Sequence, residues 1–138
     1  MKLKDLRDKN PTDNLPKVDA GKTENIWISD YWDGAINGMM EYQGKFYWFE
    51  MIQENDDWKE GEWYRRYAIV KLSGKQLKKE FEVHEDFQRF VGTHWDSKLI
   101  KSPPKFEEGR FDDFYNKHSE YIKSRPFEDN TAIGWIEN

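Results

Sequence analysis

Apolar residues along this chain alternate or cluster in short runs as far as residue 72, and then recur every three or four positions. Ile26-Trp27-Ile28-Ser29-Asp30-Tyr31-Trp32 is rich in β-formers and predicts a first strand. Asp33-Gly34 offers a turn, since glycine accepts positive φ. Ala35 to Tyr42 makes the second strand, in which Gly38 marks a kink or a close backbone approach. Gln43-Gly44-Lys45 is the kind of short connection that closes a β-hairpin, and it leads into Phe46 to Ile52. The two faces of that third run, Phe46/Trp48/Glu50/Ile52 and Tyr47/Phe49/Met51, are both largely apolar. Such a strand belongs in the middle of its sheet, covered on each side. A polar loop from Gln53 to Trp63 separates it from a fourth strand, Tyr64 to Leu72.

The period then changes. Ser73 and Gln76 have the spacing of a capping box, and a helix is predicted from about Lys75 to Val91, with Gly92 as its C-cap. Leu77, Phe81, His84, Phe87 and Val91 share one face of it. Beyond the breaker Pro103-Pro104, a second amphipathic helix is predicted from about Phe111 to Lys123, with His118 and Tyr121 on its apolar face. Arg125-Pro126 stops it, and Thr131 to Ile136 can add a short strand on a sheet edge. Residues 1–23 are polar, and Leu3, Leu6, Leu15 and Val18 are too few to form a face. They are read as a flexible N-terminal arm preceding a single domain over residues 24–138. The expected class is α+β: an antiparallel β-meander of four to five strands, open to strong curling, packed by two amphipathic helices.

Composition changes this picture in one respect. The chain of 138 residues is 36% hydrophobic and 36% charged, a balance compatible with disorder, but its 17% aromatic content argues for a folded aromatic core. Charges of both signs are interspersed at a net −5, so no basic stripe exists for nucleic acid, and no long acidic block imitates one. The absence of cysteine excludes disulfides, thiolate zinc sites and a Cys nucleophile, and fits a cytoplasmic protein. No apolar run approaches the ~20 residues that span a bilayer, and no signal peptide is recognised, so no membrane association is expected.

Candidate chemistry is sparse. Asp30 and Asp33 stand three residues apart at a strand end, where they could bind a cation or work as an acid–base pair. Their spacing does not match an EF-hand loop. His84 and His118 sit mid-face on the two helices, and with His94 or Asp96 could approach a metal, but no local metal motif supports that and no metal or cofactor is expected. His94-Trp95-Asp96 is equally well explained as a surface loop. No nucleophile elbow, P-loop or dinucleotide fingerprint occurs. The remaining signal is aromatic. Of seven tryptophans, Trp58, Trp63 and Trp95 lie in polar loops, and Trp63-Tyr64-Arg65-Arg66 has the composition of an interface hot spot or a base-stacking pocket.

The combination Asp33-Gly34-x-x-x-Gly38, Glu41-Tyr42-x-Gly44-Lys45-x-Tyr47-Trp48-Phe49, the strand to Leu72, and Phe90-Val91-Gly92-Thr93-His94 resembles a loose family of small bacterial proteins of unassigned function. The resemblance covers residues 30–94 and departs at Ala35-Ile36, where members often carry Pro-Leu. It implies a bacterial or phage accessory protein and carries no catalytic residue over. The sequence therefore points first to a small non-enzymatic binding protein for a protein partner, in the manner of an immunity or inhibitor protein. Its expected contacts are Trp58, Trp63, Tyr64, Arg65 and Trp95. A small-molecule or nucleotide binder using Arg65 and Arg66 is the alternative. A hydrolase built on Asp30, Asp33, His84 or His94 comes third.

Overall fold

The computed structural model describes residues 1–7, 15–57, 61–90 and 111–138. Five strands, β1 (Thr23–Tyr31), β2 (Ala35–Tyr42), β3 (Lys45–Asp57), β4 (Glu62–Val70) and β5 (Ala132–Glu137), form one antiparallel sheet in the order β1-β2-β3-β4-β5. Two helices, α1 (Gly74–Phe90) and α2 (Phe111–Lys123), complete an α+β arrangement. The sheet is open rather than closed into a barrel, and β3, the strand apolar on both faces, is its centre. Register shifts interrupt the β1–β2, β3–β4 and β4–β5 ladders, and such bulges bend and twist a sheet locally.

Local chemistry accounts for the connections. Gln43 and Gly44 both adopt positive φ (53° and 76°) between Tyr42 and its partner Lys45, the two-residue turn whose twist matches that of paired strands. The capping box forms in both directions: the Gln76 N–H donates to Ser73 Oγ at 3.1 Å, and the Ser73 N–H donates to Gln76 Oε1 at 2.9 Å. At Gly38 the close approach is real. A Cβ there would lie 2.2 Å from the Trp27 carbonyl oxygen and 2.9 Å from the Phe49 ring. The expected helix end at Val91 and Gly92 and the Pro103-Pro104 breaker lie outside the described residues.

The sheet buries a core on each face. Trp27, Met39, Trp48, Ile52, Ala68 and Val70 pack on one side with Phe127, Leu77 and Phe81. The Trp27 ring meets Phe81 edge-on at 5.1 Å and stacks on His84 at 3.9 Å. Ile28, Met40, Phe49, Tyr67, Ile69 and Ile136 form the second cluster on the opposite side.

The expected N-terminal arm includes two described segments, and both lie against the sheet. Leu3 and Leu6 are buried in the first cluster, with the Leu3 N–H donating to the Asn130 carbonyl at 3.0 Å. Residues 16–18 run beside β5: the Val18 N–H donates to the Trp135 carbonyl and the Trp135 N–H to the Pro16 carbonyl. Leu15 packs into the first cluster and Val18 into the second, so this short segment wraps the edge of the sheet. Four apolar residues are too few to make a face of their own, yet each fills a place in one that the sheet already provides.

Candidate interaction surface

Among the described residues, one buried arginine meets both the turn segment that carries Trp32 and the ring of Trp63. β3 runs past its last β2 pairing (Asn37↔Glu50), and β4 begins well ahead of its first β5 pairing (Arg66↔Glu137). Asn138 exchanges both backbone hydrogen bonds with Arg65. Beyond that point Asn55↔Tyr64, Asp56↔Trp63 and Asp57↔Glu62 make a two-stranded ribbon that projects from the sheet. At its root, Arg65 is only 2% exposed. Its Nη1 donates to the Ala35 carbonyl at 3.1 Å, and its Nη2 to the Trp32 carbonyl at 2.6 Å and to Glu54 Oε1 at 3.3 Å. The guanidinium carbon lies 5.7 Å from the centre of the Trp63 ring. Tyr67 adds its hydroxyl to the Ala35 carbonyl at 2.7 Å, and burial pushes that hydroxyl's pKa up.

The β1–β2 turn is thus tied to the ribbon. Gly34 is required there twice over: its φ is +134°, and a Cβ would stand 2.9 Å from Arg65 Nη1. What the clamp presents to solvent is Trp32, 76% exposed, Trp63, 54%, and Tyr31, 51%. Isolated exposed apolar residues are ordinary, but Arg65 ties the segment that carries Trp32, through its carbonyl, to the Trp63 ring, and Tyr31 precedes Trp32 in the chain.

Each residue singled out in the sequence has a distinct position. Trp63 is exposed on the ribbon. Tyr64 is half-buried under the Arg66 guanidinium, 4.7 Å from its ring centre. Arg65 is buried and reaches solvent only through the groups it holds. Arg66 donates to Glu137 and Gln53, each at 3.0 Å, and lies over Trp135 at 5.2 Å. Trp58, His94, Trp95 and Asp96 lie outside the described residues. Asp33 is exposed in the turn at φ 51°, whereas Asp30 turns inward. Its carboxylate accepts from the Asn37 amide at 3.0 Å and stands 3.9 Å from Arg125 Nη1.

Behind Asp30 lies a buried polar network between sheet and helices. Glu80 is 1% exposed and accepts from Arg125 Nε at 3.0 Å, Arg125 Nη2 at 3.2 Å and the Tyr121 hydroxyl at 2.5 Å. Arg125 also donates to Ser29 Oγ at 2.9 Å, and its guanidinium covers the Trp48 ring at 4.4 Å. Burial and the adjacent Glu80 push the Tyr121 hydroxyl well up. Trp48 Nε1 donates to Glu50 at 2.9 Å, while burial raises the Glu50 carboxyl despite that bond and nearby Arg7. His84 is held down to about 4 by burial. His118, beside Phe87 and Phe114, is also held down to about 4, by burial and then by Arg125, with Asp30 opposing.

Sequence reading did not single out Tyr31 and Trp32 as surface residues, nor Glu80 and Arg125 as core. A signal existed for Glu80, which falls between Leu77 and His84 on the apolar stripe of α1. For Trp32 the only sign was its position directly before the Asp33-Gly34 turn. Among the described residues no three His, Asp or Glu side chains converge as a metal site, and no helix is long and apolar enough to cross a membrane. The chain matches no family model, no curated protein and no solved structure in comparisons with each.

Proposed function

We propose that this chain is a small non-enzymatic binding protein that recognises a protein partner, in the manner of an immunity or inhibitor protein acting in the cytoplasm. The observation that carries the reading is that buried Arg65 holds the Trp32 carbonyl and lies beside the Trp63 ring, so exposed Trp32 and Trp63, with Tyr31 next to Trp32 in the chain, sit on segments fixed to one another. Tryptophan, tyrosine and arginine dominate interface hot spots because large, stiff rings bury much area at little entropic cost. Arg65 supports this by fixing the turn and the ribbon before any partner arrives, which lowers the ordering cost of association.

The small-molecule alternative has a cavity of about 200 Å³ beside this group, lined by Ala35, Phe49 and Tyr67 among others. Its anion-binding arginines, however, are already engaged with Glu54 and Glu137. The acid–base reading needs Asp30 and Asp33 together, but the Asp30 carboxylate is engaged by Asn37 while Asp33 is exposed in the turn.

Photo-crosslinking in the native host tests the proposal. A benzophenone side chain at position 32 or 63 should yield a discrete adduct with one protein, and the same group at the exposed Lys78 of α1 should not. With the partner in hand, Trp32→Ala should weaken binding by about 30-fold, the effect of losing a 2 kcal/mol hot spot. Equal labelling from all three positions, or none, would sink the reading.

A further inference from the structure

Another polar cavity is shared by the sheet, residues 3–7 and the end of α2. Its volume is about 180 Å³, and Asn37, Glu50 and Arg125 line it opposite an apolar wall of Leu3, Ile122 and Phe127. Lys123 and the Arg7–Glu128 ion pair complete the lining. Lys123 is exposed and the pair is partly so, and part-exposed ion pairs are weak enough to open, so these groups form the mouth.

Donors are left over inside it. The Arg125 side chain is 7% exposed and turns one edge, Nε and Nη2, to Glu80. Nη1 lies on the other edge. It is buried and makes no hydrogen bond among the described residues, Asp30 Oδ2 standing too far at 3.9 Å. Asn37, 5% exposed, uses one Nδ2 hydrogen on Asp30 and has a second. Glu50 supplies acceptors: Oε2 takes the Trp48 Nε1 hydrogen and Oε1 one from Arg7 Nη2, and each oxygen keeps a further lone pair. A single water would satisfy Arg125 Nη1, but a water's share of liquid volume, about 30 Å³, is about a sixth of this space.

The ion pairs set the charge of the occupant. Arg125 is matched by Glu80, and Arg7 by Glu128 and Glu50, so a charged ligand would have to break an existing pair. Burial already raises the Glu50 carboxyl, and the same desolvation weighs against an incoming carboxylate. We infer that this cavity binds the primary carboxamide of a small neutral molecule, its carbonyl accepting from Arg125 Nη1 and Asn37 Nδ2, its N–H₂ donating to Glu50, and its alkyl body lying against Leu3, Ile122 and Phe127. A carboxamide presents an acceptor and two donors in one plane, which suits a guanidinium on one side and a carboxylate on the other. The site shares no residue with the surface around Arg65, and the inference stands independently of the protein-binding function.

The test uses three probes of one shape, isobutyramide, isobutyrate and isobutyramidine, which differ in the charge of a planar head group. The full chain is titrated with each while its assigned indole N–H signals are recorded. Trp48 donates to Glu50 and its ring is covered by Arg125, so its signal reports the cavity, whereas exposed Trp63 is the control. Isobutyramide should shift Trp48 saturably and leave Trp63 in place. The anion and the cation should each bind at least ~10-fold more weakly, the effect of losing one charge-assisted hydrogen bond. Glu50→Gln keeps the shape of the wall and removes its charge, so the preference for isobutyramide over isobutyrate should shrink by at least ~10-fold. A merely structural role for Glu50, as acceptor for Trp48, predicts an unchanged preference.

A Trp48 signal that never saturates or that moves in step with Trp63, equal affinity for either charged probe, or an unchanged preference in Glu50→Gln would each overturn the inference. Should Glu50→Gln fail to fold, the three probes against the parent chain decide alone.

Discussion

At the scale of single residues, the behaviour of this surface depends on Arg65 more than on any ring that touches solvent. A guanidinium can reach the Trp32 carbonyl, the Ala35 carbonyl and Glu54 together because its donors are splayed in a plane. A lysine there keeps the charge but cannot span the three acceptors. Arg65→Lys should therefore lower stability by about 2–3 kcal/mol, measured by urea unfolding, and disperse the Trp32 indole signal as the turn loosens. An unchanged urea midpoint would mean that the turn holds without the clamp. Trp63 and Arg65 were legible in the sequence as a pair, but not their division of labour. Burial of an arginine depends on carbonyls that another strand's turn aims at it, and one-dimensional patterning contains no trace of that.

At the scale of elements, periodicity served well and chemistry less so. Among the described residues, alternation and 3.6-residue spacing located the strands and helices, with the end of β3 as the largest miss. Those patterns are imposed by the geometry of strand and helix and need no tertiary information. β3 overran its expected end at Ile52 because Gln53 to Asp57 pair with β4 through their backbones despite their polarity, and backbone pairing needs no apolar alternation. Glu80 is the other lesson. A glutamate on an apolar stripe reads as a helix former until Arg125, from the far side of α2, is known to meet it. Removing one partner leaves a buried charge, so Glu80→Leu or Arg125→Met alone should destabilise by about 3–5 kcal/mol. The double variant should be no worse than either single one, since both charges go together. A calorimetric or urea cycle over the four proteins checks this, and simple additivity would show that the pair is not coupled.

At the scale of the whole molecule, the helix layer makes folding sensitive to acid. His84 and His118 are neutral in the folded state down to about pH 4, whereas in the unfolded chain they take up protons near 6.5. Below 6.5 the unfolded state thus binds more protons, and stability falls with pH until about 4, where both states are protonated. Each histidine contributes roughly 3 kcal/mol to that loss. Glu50, whose carboxyl is raised by burial, acts in the opposite sense, gaining stability as it is protonated in the folded state. Urea midpoints should be flat from pH 8 to 7 and decline steeply between 6.5 and 4.5. His118→Asn should halve the slope. A midpoint independent of pH across that range would show that the histidines are reached by water.

The wrapping of β5 by residues 16–18, and the burial of Leu3 and Leu6 beside Asn130, have a temporal consequence. Arg7 and Glu128, which pair, are separated by 121 positions. A ribosome adding 5–20 residues per second produces the first of these segments roughly 6–25 s before its seat exists. Until β5 is made, the meander β1 to β4 has its β4 edge unpaired and the early leucines lack Phe127 and Ala132 as core neighbours. β5 is the strand that covers the β4 edge, and a chaperone has the interval before it in which to find the nascent chain.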